Sequence, residues 1–333
     1  MSSAKAPGQT IVDLAFGFIL SGALATAAKL KIADRLEAGP KTLEALAKET
    51  GMHAQSLHRV LRMLASFGIF KEDDHGSFHQ TPESDLLRTS LPHTLHHAAL
   101  MITQDIFWKP VGQLDEVVRT GENGMVPIFG APFFDYLESN KEAGATFHRG
   151  MSSLSDLENA PLAGAYDWSG INTIIDVAGG HGGLLIEALK RAPAAKGILY
   201  DVGHVLKDAR VNEEKGRWSC VEGDFFKSAP SGGDAYLLKR IIHDWKDEDC
   251  VTILSNIRKV MNPGARVLVF DCVIPPGNDP HGGKVLDVLM MSALPGFERT
   301  EKEFAALFQR AGLKLTRVIQ APALLSITEA VAV

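Results

Sequence analysis

The sequence predicts an α/β protein in which a doubly wound, Rossmann-like parallel sheet follows a mainly helical N-terminal part. From about residue 161 onward, short β-branched apolar runs alternate with helix-like runs. The run Ile171–Val177 leads through the glycine-rich turn Ala178–Gly183 into another apolar run that suits a helix. A strand, a glycine turn and a helix in that order place a small ligand at the carboxyl end of a sheet. Residues before about 160 show helical patterns and one hairpin.

Length and composition restrict the class of protein. A chain of 333 residues can form two domains with substantial cores. The formal charge of −6 argues against a dedicated binder of polyanions. Three widely spaced cysteines without a secretory signal favour a reducing, cytoplasmic location. The apolar stretch Leu14–Ala28 is shorter than the ~20 residues that span a bilayer, so no membrane anchor is expected.

The N-terminal part is predicted to be a winged helix. Residues 1 to about 9 form a loose leader, and Thr10 to about Leu36 has the pattern of one helix that is apolar nearly all round. Such a helix needs cover on every side, which a second subunit or an ordinary core could provide. Helices are predicted at Thr42–Lys48, capped by Thr42, and at Gln55–Gly68, followed by a hairpin at Phe70–Gln80.

A winged helix raises the hypothesis of a DNA-binding regulator. Between Lys41 and Ser90 there are six Lys or Arg residues and seven Asp or Glu residues. A surface that reads a DNA groove should be basic. The charge balance therefore disfavours this function.

Further helices are expected before the sheet. The patterns indicate helices within Leu91–Gly121, a loop at Gly121–Pro132, and helices at Phe133–Asn140 and Glu142–Ala163. Their bulky side chains, including Phe107, Trp108, Phe147 and Met151, are expected in an ordinary core on the sequence pattern alone.

The C-terminal part alternates strands with helices and closes a sheet whose ligands lie beyond the strands' carboxyl ends. The expected strands are Ile171–Val177, Gly197–Val202, Ser219–Gly223, Ala235–Lys239, Ala265–Cys272, 313–319 and 324–331, and the expected helices are 183–192, Val205–Asn212, Asp247–Met261 and 301–311.

Acidic residues occur at the ends of three of these strands. Asp176 and Asp201 lie 25 positions apart, a spacing that suits a carboxylate accepting the hydroxyls of a ribose. Asp224 precedes Phe225, so a carboxylate lies beside an aromatic surface that could hold a purine. The dinucleotide pattern GxGxxG is incomplete here. Gly180 and Gly182 match its first two glycines, but Leu185 occupies the position of the third.

His243 is the candidate general base. It follows the strand Ala235–Lys239, and an imidazole with an ordinary pKa of ~6.5 accepts protons near neutrality. Asp244 beside it, and Asp271 at the end of the next strand, could fix the tautomer and favour the imidazolium.

The motifs DVAGGHGG, YDVGHV, GDFF, LLKRIIHDW, the Asn262-Pro263-Gly264 turn and GFERTEKEF occur in this order over nearly the whole chain. They resemble the S-adenosylmethionine (SAM)-dependent O-methyltransferases of the plant caffeate and bacterial antibiotic type, which have an N-terminal winged-helix dimerisation domain. Three departures are visible. The segment after Asp201 is VGHV, where LPHV is more frequent in the family. Ala178 replaces the first glycine of the usual GGGxG turn, and Asp271 replaces a Glu that is common in plant members.

The resemblance implies roles for individual residues. His243 would be the catalytic base, with Asp271 and Glu298 as its acidic partners and Asp244 beside them. The implied cofactor residues are Asp176, Gly179, Gly180, Asp201, Val202, Gly223, Asp224, Phe225 and Lys239. The implied acceptor residues are Phe107, Trp108, Phe147, Met151, Asp287, Met290 and Met291.

The expected function is methyl transfer from SAM to a hydroxyl of a small planar aromatic acceptor, without a metal ion. Two alternatives remain: a related enzyme with switched chemistry, such as hydroxylation or decarboxylation of an aromatic polyketide, and the winged-helix regulator. The expected domains are 1–100 for dimerisation, 101–160 as a helical connector and 161–333 for SAM binding. A homodimer is expected, and neither nucleic acid nor membrane is expected as a partner. The acceptor itself stays open among phenazines, polyketides, flavonoids and indoles.

Overall fold

A computed structural model describes residues 6–207, 209–210 and 216–333 of the chain. The chain forms two compact units. One comprises the residues up to Asp105 together with Asn140–Leu154, and the other comprises Ile106–Ser139 and Ser155–Val333. Parts of the predicted leader and of the predicted helix Val205–Asn212 lie outside the described residues.

The first unit begins with three helices instead of the single helix predicted over Thr10–Leu36. The helix is interrupted after Ala15 and again at Lys31. The φ of Lys31 is 50°, a left-handed value that is incompatible with a continuing helix. The elements of this unit are α1 (Gln9–Ala15), α2 (Gly17–Lys29), α3 (Ile32–Arg35), β1 (Lys41–Thr42), α4 (Leu43–Thr50), α5 (Ala54–Ser66), β2 (Lys71–Glu72), β3 (Ser77–His79), α6 (Pro82–Asp85) and α7 (His96–Ile102).

The winged-helix pattern is present. Thr42 caps α4 by accepting a hydrogen bond from the Ala45 N–H at 3.3 Å, as its position before the helix predicts. Strands β2 and β3 form the predicted hairpin, and β1 joins it to give the order β1-β3-β2. Apolar side chains of α2, α4 and α5, such as Leu46 and Leu61, form the core of this unit with Phe78.

Helix α1 and the start of α2 leave large apolar side chains exposed. Leu14 is 76% exposed and Phe18 is 69% exposed, and Ile11 and Phe16 are exposed as well. Within the described residues, no single helix meets the length and hydropathy needed to cross a membrane, although α1 and α2 together do so as a pair bent by 41°. The described residues of the chain therefore leave the apolar face of these helices uncovered.

Five helices follow: α8 (Asp105–Val111), α9 (Leu114–Thr120), α10 (Met125–Phe129), α11 (Phe133–Ser139) and α12 (Lys141–Gly164). Helix α10 lies in the stretch Gly121–Pro132, where a loop was predicted, so that prediction was wrong. The Asn123 side chain accepts a hydrogen bond from the Met125 N–H at 3.1 Å, and Gly130 ends the helix in a left-handed conformation.

The second unit contains a sheet of seven strands in the order β11-β12-β8-β7-β4-β5-β6. Its strands are β4 (Thr173–Val177), β5 (Lys196–Asp201), β6 (Trp218–Glu222), β7 (Ala235–Lys239), β8 (Arg266–Asp271), β11 (Leu313–Gln320) and β12 (Ser326–Ala332), with a separate pair β9 (Val273–Ile274) and β10 (Arg299–Thr300). Its helices are α13 (Gly183–Arg191), α14 (Gly203–Leu206), α15 (Asp247–Val260), α16 (Gly282–Ala293) and α17 (Glu301–Arg310).

The doubly wound sheet is present as predicted, with one departure from the predicted parallel order. Strands β4 to β8 pair in parallel, but β12 runs antiparallel to both β8 and β11. A short connection joins β11 directly to β12, and such a connection allows only antiparallel pairing. Helix α16 was not predicted from the sequence. His281 caps it by accepting a hydrogen bond from the Gly283 N–H at 3.1 Å.

Alternate residues of the central strands point to opposite faces of the sheet, as the pleat requires. Ile174 and Leu237 pack on one face with α13, and Ile175 and Leu238 pack on the other face with α15 and α17. The sheet is therefore doubly wound, and the carboxyl ends of β4 to β8 meet at one edge.

Candidate active site

The glycine turn after β4 brings the backbone close to a buried carboxylate. A Cβ atom at Gly179 would lie 2.4 Å from the Asp176 side chain, so only glycine fits this position. Ala178 has a φ of 54°, a left-handed conformation that is strained for alanine. The family's first glycine is thus replaced at a position where the backbone favours glycine, which the sequence analysis did not foresee.

Asp201, at the end of β5, is fixed by backbone donors. Its carboxylate accepts hydrogen bonds from the Gly180 N–H at 2.9 Å and from the Val202 N–H at 2.7 Å. The Gly223 N–H donates to the Asp201 carbonyl oxygen at 3.0 Å. The structure thus brings together four of the predicted cofactor residues, and burial raises the pKa of Asp201.

Asp176 and Lys239 are buried charged groups at adjacent strands. Burial raises the pKa of Asp176 to about 7, and its Oδ2 atom has no hydrogen-bond partner among the described residues. Burial lowers the pKa of Lys239 to about 8. The Lys239 Nζ atom donates to the Asn159 Oδ1 atom at 2.5 Å. A polar ligand that approaches this place meets an unsatisfied acceptor and a positioned cation.

Asp224 and Phe225 lie at the next strand end, beside an aromatic wall. Asp224 accepts a hydrogen bond from the Phe226 N–H at 2.9 Å. Trp245 contacts both phenylalanines edge-on, at ring-centroid distances of 6.1 Å to Phe225 and 4.8 Å to Phe226, and stacks on Phe134 at 5.8 Å. Flat apolar surface and a carboxylate therefore occur together, as the motif GDFF predicts.

Arg240, in a left-handed conformation directly after β7, begins the turn that carries His243. Arg240 has a φ of 57°, and its guanidinium binds the Glu158 carboxylate at 2.6 Å and 3.2 Å. A single 3₁₀ turn, Ile242–Asp244, follows. This buried ion pair holds the turn at the carboxyl edge of the sheet.

Three carboxylates surround His243. Its Nδ1–H donates to the Glu298 Oε1 atom at 2.5 Å, and the Asp244 Oδ1 atom lies 3.4 Å from its Nε2 atom. Asp271 accepts a hydrogen bond from the backbone N–H of His243 at 3.1 Å. The bond to Glu298 fixes the tautomer and leaves Nε2 as the nitrogen that can accept a proton.

These charges set the proton affinity of the site. Burial alone would lower the pKa of His243, but the carboxylates of Asp244, Asp271 and Glu298 outweigh it and raise the pKa to about 9. Burial raises the pKa of Asp244 to about 7 and that of Asp271 to about 6. The ordinary imidazole value used in the sequence analysis therefore underestimates the basicity of His243.

The predicted acceptor residues occupy several places. Asp287 on α16 accepts a hydrogen bond from the Glu298 N–H at 2.9 Å, which connects it to the histidine. On the same helix, Met290 is buried and Met291 is exposed. Phe107 is buried against Phe133, and Trp108 is 41% exposed. Phe147 and Met151 lie on the part of α12 that belongs to the first compact unit.

Three residues of the site were missed by the sequence analysis. Asn159 and Glu158 lie on α12, about 80 positions before the residues they bind, and no motif marks them. Arg299 lies within the quoted motif GFERTEKEF but received no role. It is 1% exposed and binds the backbone next to His243.

The comparisons with known proteins agree with this geometry. A family model described as the O-methyltransferase domain matches residues 111–314, and a model described as the O-methyltransferase dimerisation domain matches residues 12–90. The chain belongs to the SAM-dependent O-methyltransferase family. Its cofactor is SAM, and it is an enzyme of the O-methyltransferase class.

Three relatives show the range of similarity. A phenazine O-methyltransferase of Lysobacter antibioticus is 37% identical over 327 residues, which cover 96% of this O-methyltransferase and 95% of the relative. The crystal structure of CalO1, a methyltransferase of calicheamicin biosynthesis in its SAH-bound form, is 37% identical with a TM-score of 0.90, over 99% of this chain and 100% of that one. The aclacinomycin 10-hydroxylase of Streptomyces purpurascens is 34% identical over 88% of this chain and 81% of its own.

The residues at the sheet edge of this O-methyltransferase fit SAM. The place of a Cβ atom at Gly180 has no described heavy atom within 4 Å, so the turn has room for a ligand there, and the unpartnered Asp176 Oδ2 atom would offer an acceptor to its polar end. Across residues 6–207, 209–210 and 216–333, no group of three or more His, Cys, Asp or Glu side chains could hold a metal ion.

Proposed function

We propose that His243 is the general base of this O-methyltransferase and that its acceptor is a hydroxyl on a small planar aromatic molecule. The observation that carries the proposal is the 2.5 Å hydrogen bond between His243 Nδ1 and Glu298, which makes Nε2, 3.4 Å from Asp244 Oδ1, the nitrogen that takes the proton in the neutral ring. The names of the relatives, which include a phenazine and a mitomycin O-methyltransferase, support the acceptor class.

The proposed cofactor residues would contact different parts of SAM. Asp201 with Val202 and Gly223 would hold the ribose hydroxyls, and Asp224 with Phe225 would hold the adenine. Asp176, Gly179, Gly180 and Lys239 would hold the methionine end. When bound, SAM supplies a methyl group that its sulfonium has already activated for SN2 transfer to an oxygen.

His243 then has one task, which is to remove the acceptor proton. A phenol has a pKa of ~10, close to the value of about 9 for His243, so the proton moves between groups of similar affinity. The proton would go to Nε2. The carboxylates of Glu298, Asp271 and Asp244 would stabilise the imidazolium that forms.

The acceptor surface remains a proposal residue by residue. Phe107, Trp108, Phe147, Met151, Asp287, Met290 and Met291 would contact the aromatic ring. Methionine adapts to irregular flat surfaces, which suits such a ligand. Asp287 is supported most directly, because it binds the backbone of Glu298.

The homodimer and the domain limits also belong to the proposal. Residues 1–100 would form the dimerisation domain, 101–160 a helical connector and 161–333 the SAM-binding domain. The exposed apolar side chains of α1 and α2, such as Leu14 and Phe18, support a second subunit as the cover, and so does the match to the dimerisation model. The proposed location is the cytoplasm, and neither nucleic acid nor membrane is proposed as a partner. Sedimentation of the full chain should give twice the mass of one chain, and a monomer would contradict the proposal.

Label transfer tests the reaction. The enzyme is incubated with methyl-labelled SAM and a panel of hydroxylated phenazines, quinones, flavonoids and indoles, and ether products are measured. His243→Ala should bind SAH normally and lose activity, whereas the exposed His53→Ala should retain it. A product without label from a consumed acceptor would favour switched chemistry, as in the related hydroxylase. Full turnover by His243→Ala would refute the role of the histidine.

A further inference from the structure

Arg299 is a buried cation directly behind the His243 turn, and the proposed mechanism leaves it unused. Its side chain is among the largest that are fully buried in the chain. It lies on β10, next to Glu298 in the sequence. A buried guanidinium is costly unless every donor finds a partner, so its contacts identify what it holds.

The guanidinium spans the turn that carries His243. Its Nη1–H donates to the Ile242 carbonyl oxygen at 2.9 Å, and its Nη2–H donates to the Trp245 carbonyl oxygen at 3.1 Å. These carbonyls lie before and after His243. A planar fork with two fixed donors therefore sets the length and tilt of this 3₁₀ turn in a way that a single ammonium cannot.

Asp247 and Phe297 hold the Arg299 guanidinium in place. Asp247, at the start of α15, accepts hydrogen bonds from Nη2 at 2.8 Å and from Nε at 3.2 Å. The Phe297 ring lies 4.1 Å from the guanidinium carbon. Asp247 balances the charge, and the aromatic face covers one side of the plane. The arginine can then act as a rigid brace.

The same segment presents the acid to the imidazole. Glu298 precedes Arg299, and Arg299 pairs with Val273 on β9, two positions after Asp271. A Cβ atom at Gly296 would lie 2.0 Å from the His243 carbonyl oxygen, so this segment lies directly against the turn. Because one segment carries both groups, the position of the imidazole relative to Glu298 depends on the brace.

We infer that Arg299 is a positioning residue, which clamps the His243 turn so that Nδ1 meets Glu298 and Nε2 faces the acceptor. The inference rests on the proposed role of His243 as the base. Arg299 itself would touch neither cofactor nor acceptor.

Arg299→Lys is the main test, because lysine keeps the charge and removes the fork. We expect kcat to fall about 10- to 100-fold, since small misplacements of a reacting group have effects of this order. The dissociation constant for SAH, measured by calorimetry, should stay unchanged. The pH limb of His243 should move to lower pH, because a displaced Glu298 stabilises the imidazolium less.

A second pair of variants covers the case in which Arg299→Lys does not fold. Gly296→Ala displaces the turn without any change of charge and should reproduce the fall in kcat and the shifted limb. Asp247→Asn removes the negative charge that pairs with Arg299. Because the Asp247 side chain is 36% exposed, we expect a smaller fall in kcat and a smaller shift of the pH limb than in Gly296→Ala. Arg310→Lys is the matched control, because Arg310 also binds Asp247, at 3.2 Å, yet is bonded to neither turn carbonyl.

The outcomes separate the two proposals. A merely structural arginine would lower the melting temperature of Arg299→Lys but leave kcat per folded enzyme and the pH limb unchanged, and this result would overturn the inference. If Arg310→Lys lowered kcat as much as Arg299→Lys, the brace would be excluded as the cause. Full activity of His243→Ala would instead overturn the proposed base, whatever the arginine variants show.

Discussion

The Glu298 carboxylate accepts a hydrogen bond from His243 Nδ1 at 2.5 Å while its own backbone N–H is bound by Asp287 at 2.9 Å. The acid that orients the imidazole is therefore held from a helix, α16, that also carries Met290 and Met291. An acceptor that contacts this helix can affect the alignment of the base through one side chain. With the proposed roles of these residues, acceptor binding at α16 and proton transfer at His243 would be connected through Glu298.

Replacing the orienting acid should weaken the base. In Glu298→Gln the ring keeps an acceptor at Nδ1 but loses a negative charge, so the pKa of His243 should fall below about 9. We expect the kcat reached above the pH limb to fall by about 10²-fold, with the limb at lower pH and SAH affinity unchanged. The measurement is a pH–rate profile with calorimetry. Glu301→Gln, an exposed carboxylate in the first turn of α17, serves as the control. An unaltered profile in Glu298→Gln would show that the pair does not control the proton affinity.

The value of kcat/KM should rise with pH toward about 9. A raised pKa means that His243 is an imidazolium below about 9, and only its neutral form accepts a proton. For a phenol of pKa ~10, activity should therefore drop about tenfold for each pH unit below that limb. The His243→Ala residual rate should lack the limb. A limb near the ordinary value of ~6.5 would show that the three carboxylates do not set this pKa.

The sequence predicted the parts of the site that are local in the chain. The strand β4, its glycine turn and α13 are contiguous, so periodicity and glycine placement were sufficient to predict them. The strand-end residues Asp176, Asp201 and Asp271 followed from the parallel order of the strands, whereas the role of Lys239 came from the family resemblance. The roles of Glu298 and Asp287 came only from the family resemblance, because neither lies at a strand end.

The contacts that the sequence did not predict join distant segments. Asn159 binds Lys239 from 80 positions away, and Arg299 binds Ile242 from 57 positions away. No short-range pattern encodes such pairs, since each residue alone is compatible with an exposed position. A strand was predicted at 324–331, but the antiparallel direction of β12 was not, because its apolar run does not indicate a strand direction.

Ala178→Gly should stabilise the protein. The left-handed backbone costs alanine ~1–2 kcal/mol, and the greater freedom of glycine in the unfolded chain offsets ~0.5–1 kcal/mol of this. We expect a net gain of about 0.5–1 kcal/mol in the free energy of unfolding, measured by urea denaturation. Gly180→Ala is the reciprocal control, because Gly180 has a φ of 60° with open space around it and should lose a similar amount. A loss of stability in Ala178→Gly would contradict the assigned strain.

Asn159→Leu should weaken cofactor binding through Lys239. The buried ammonium loses its 2.5 Å partner, so its pKa should fall further below the usual lysine value, and a smaller share of Lys239 is charged at pH 7. A hydrogen bond to a charged group contributes ~1.5–3 kcal/mol, and we expect at least about tenfold weaker SAH binding at pH 7 by calorimetry.

The pH dependence distinguishes this effect from a general loss of packing. Lowering the pH from 7 to 6 returns protons to Lys239, so the SAH affinity of Asn159→Leu should improve relative to that of the unsubstituted enzyme. Asp176, whose pKa is about 7, titrates over this range in both proteins, so the ratio of the two affinities is the quantity compared. Leu157→Ala, at a half-exposed position on the same helix, should match the unsubstituted enzyme at both pH values. If the Asn159→Leu affinity is equally weak at pH 6 and pH 7, Asn159 does not act by keeping Lys239 charged. It would then act by shaping the backbone at Gly183, because the Asn159 amide lies 2.5 Å from the place of a Cβ atom there.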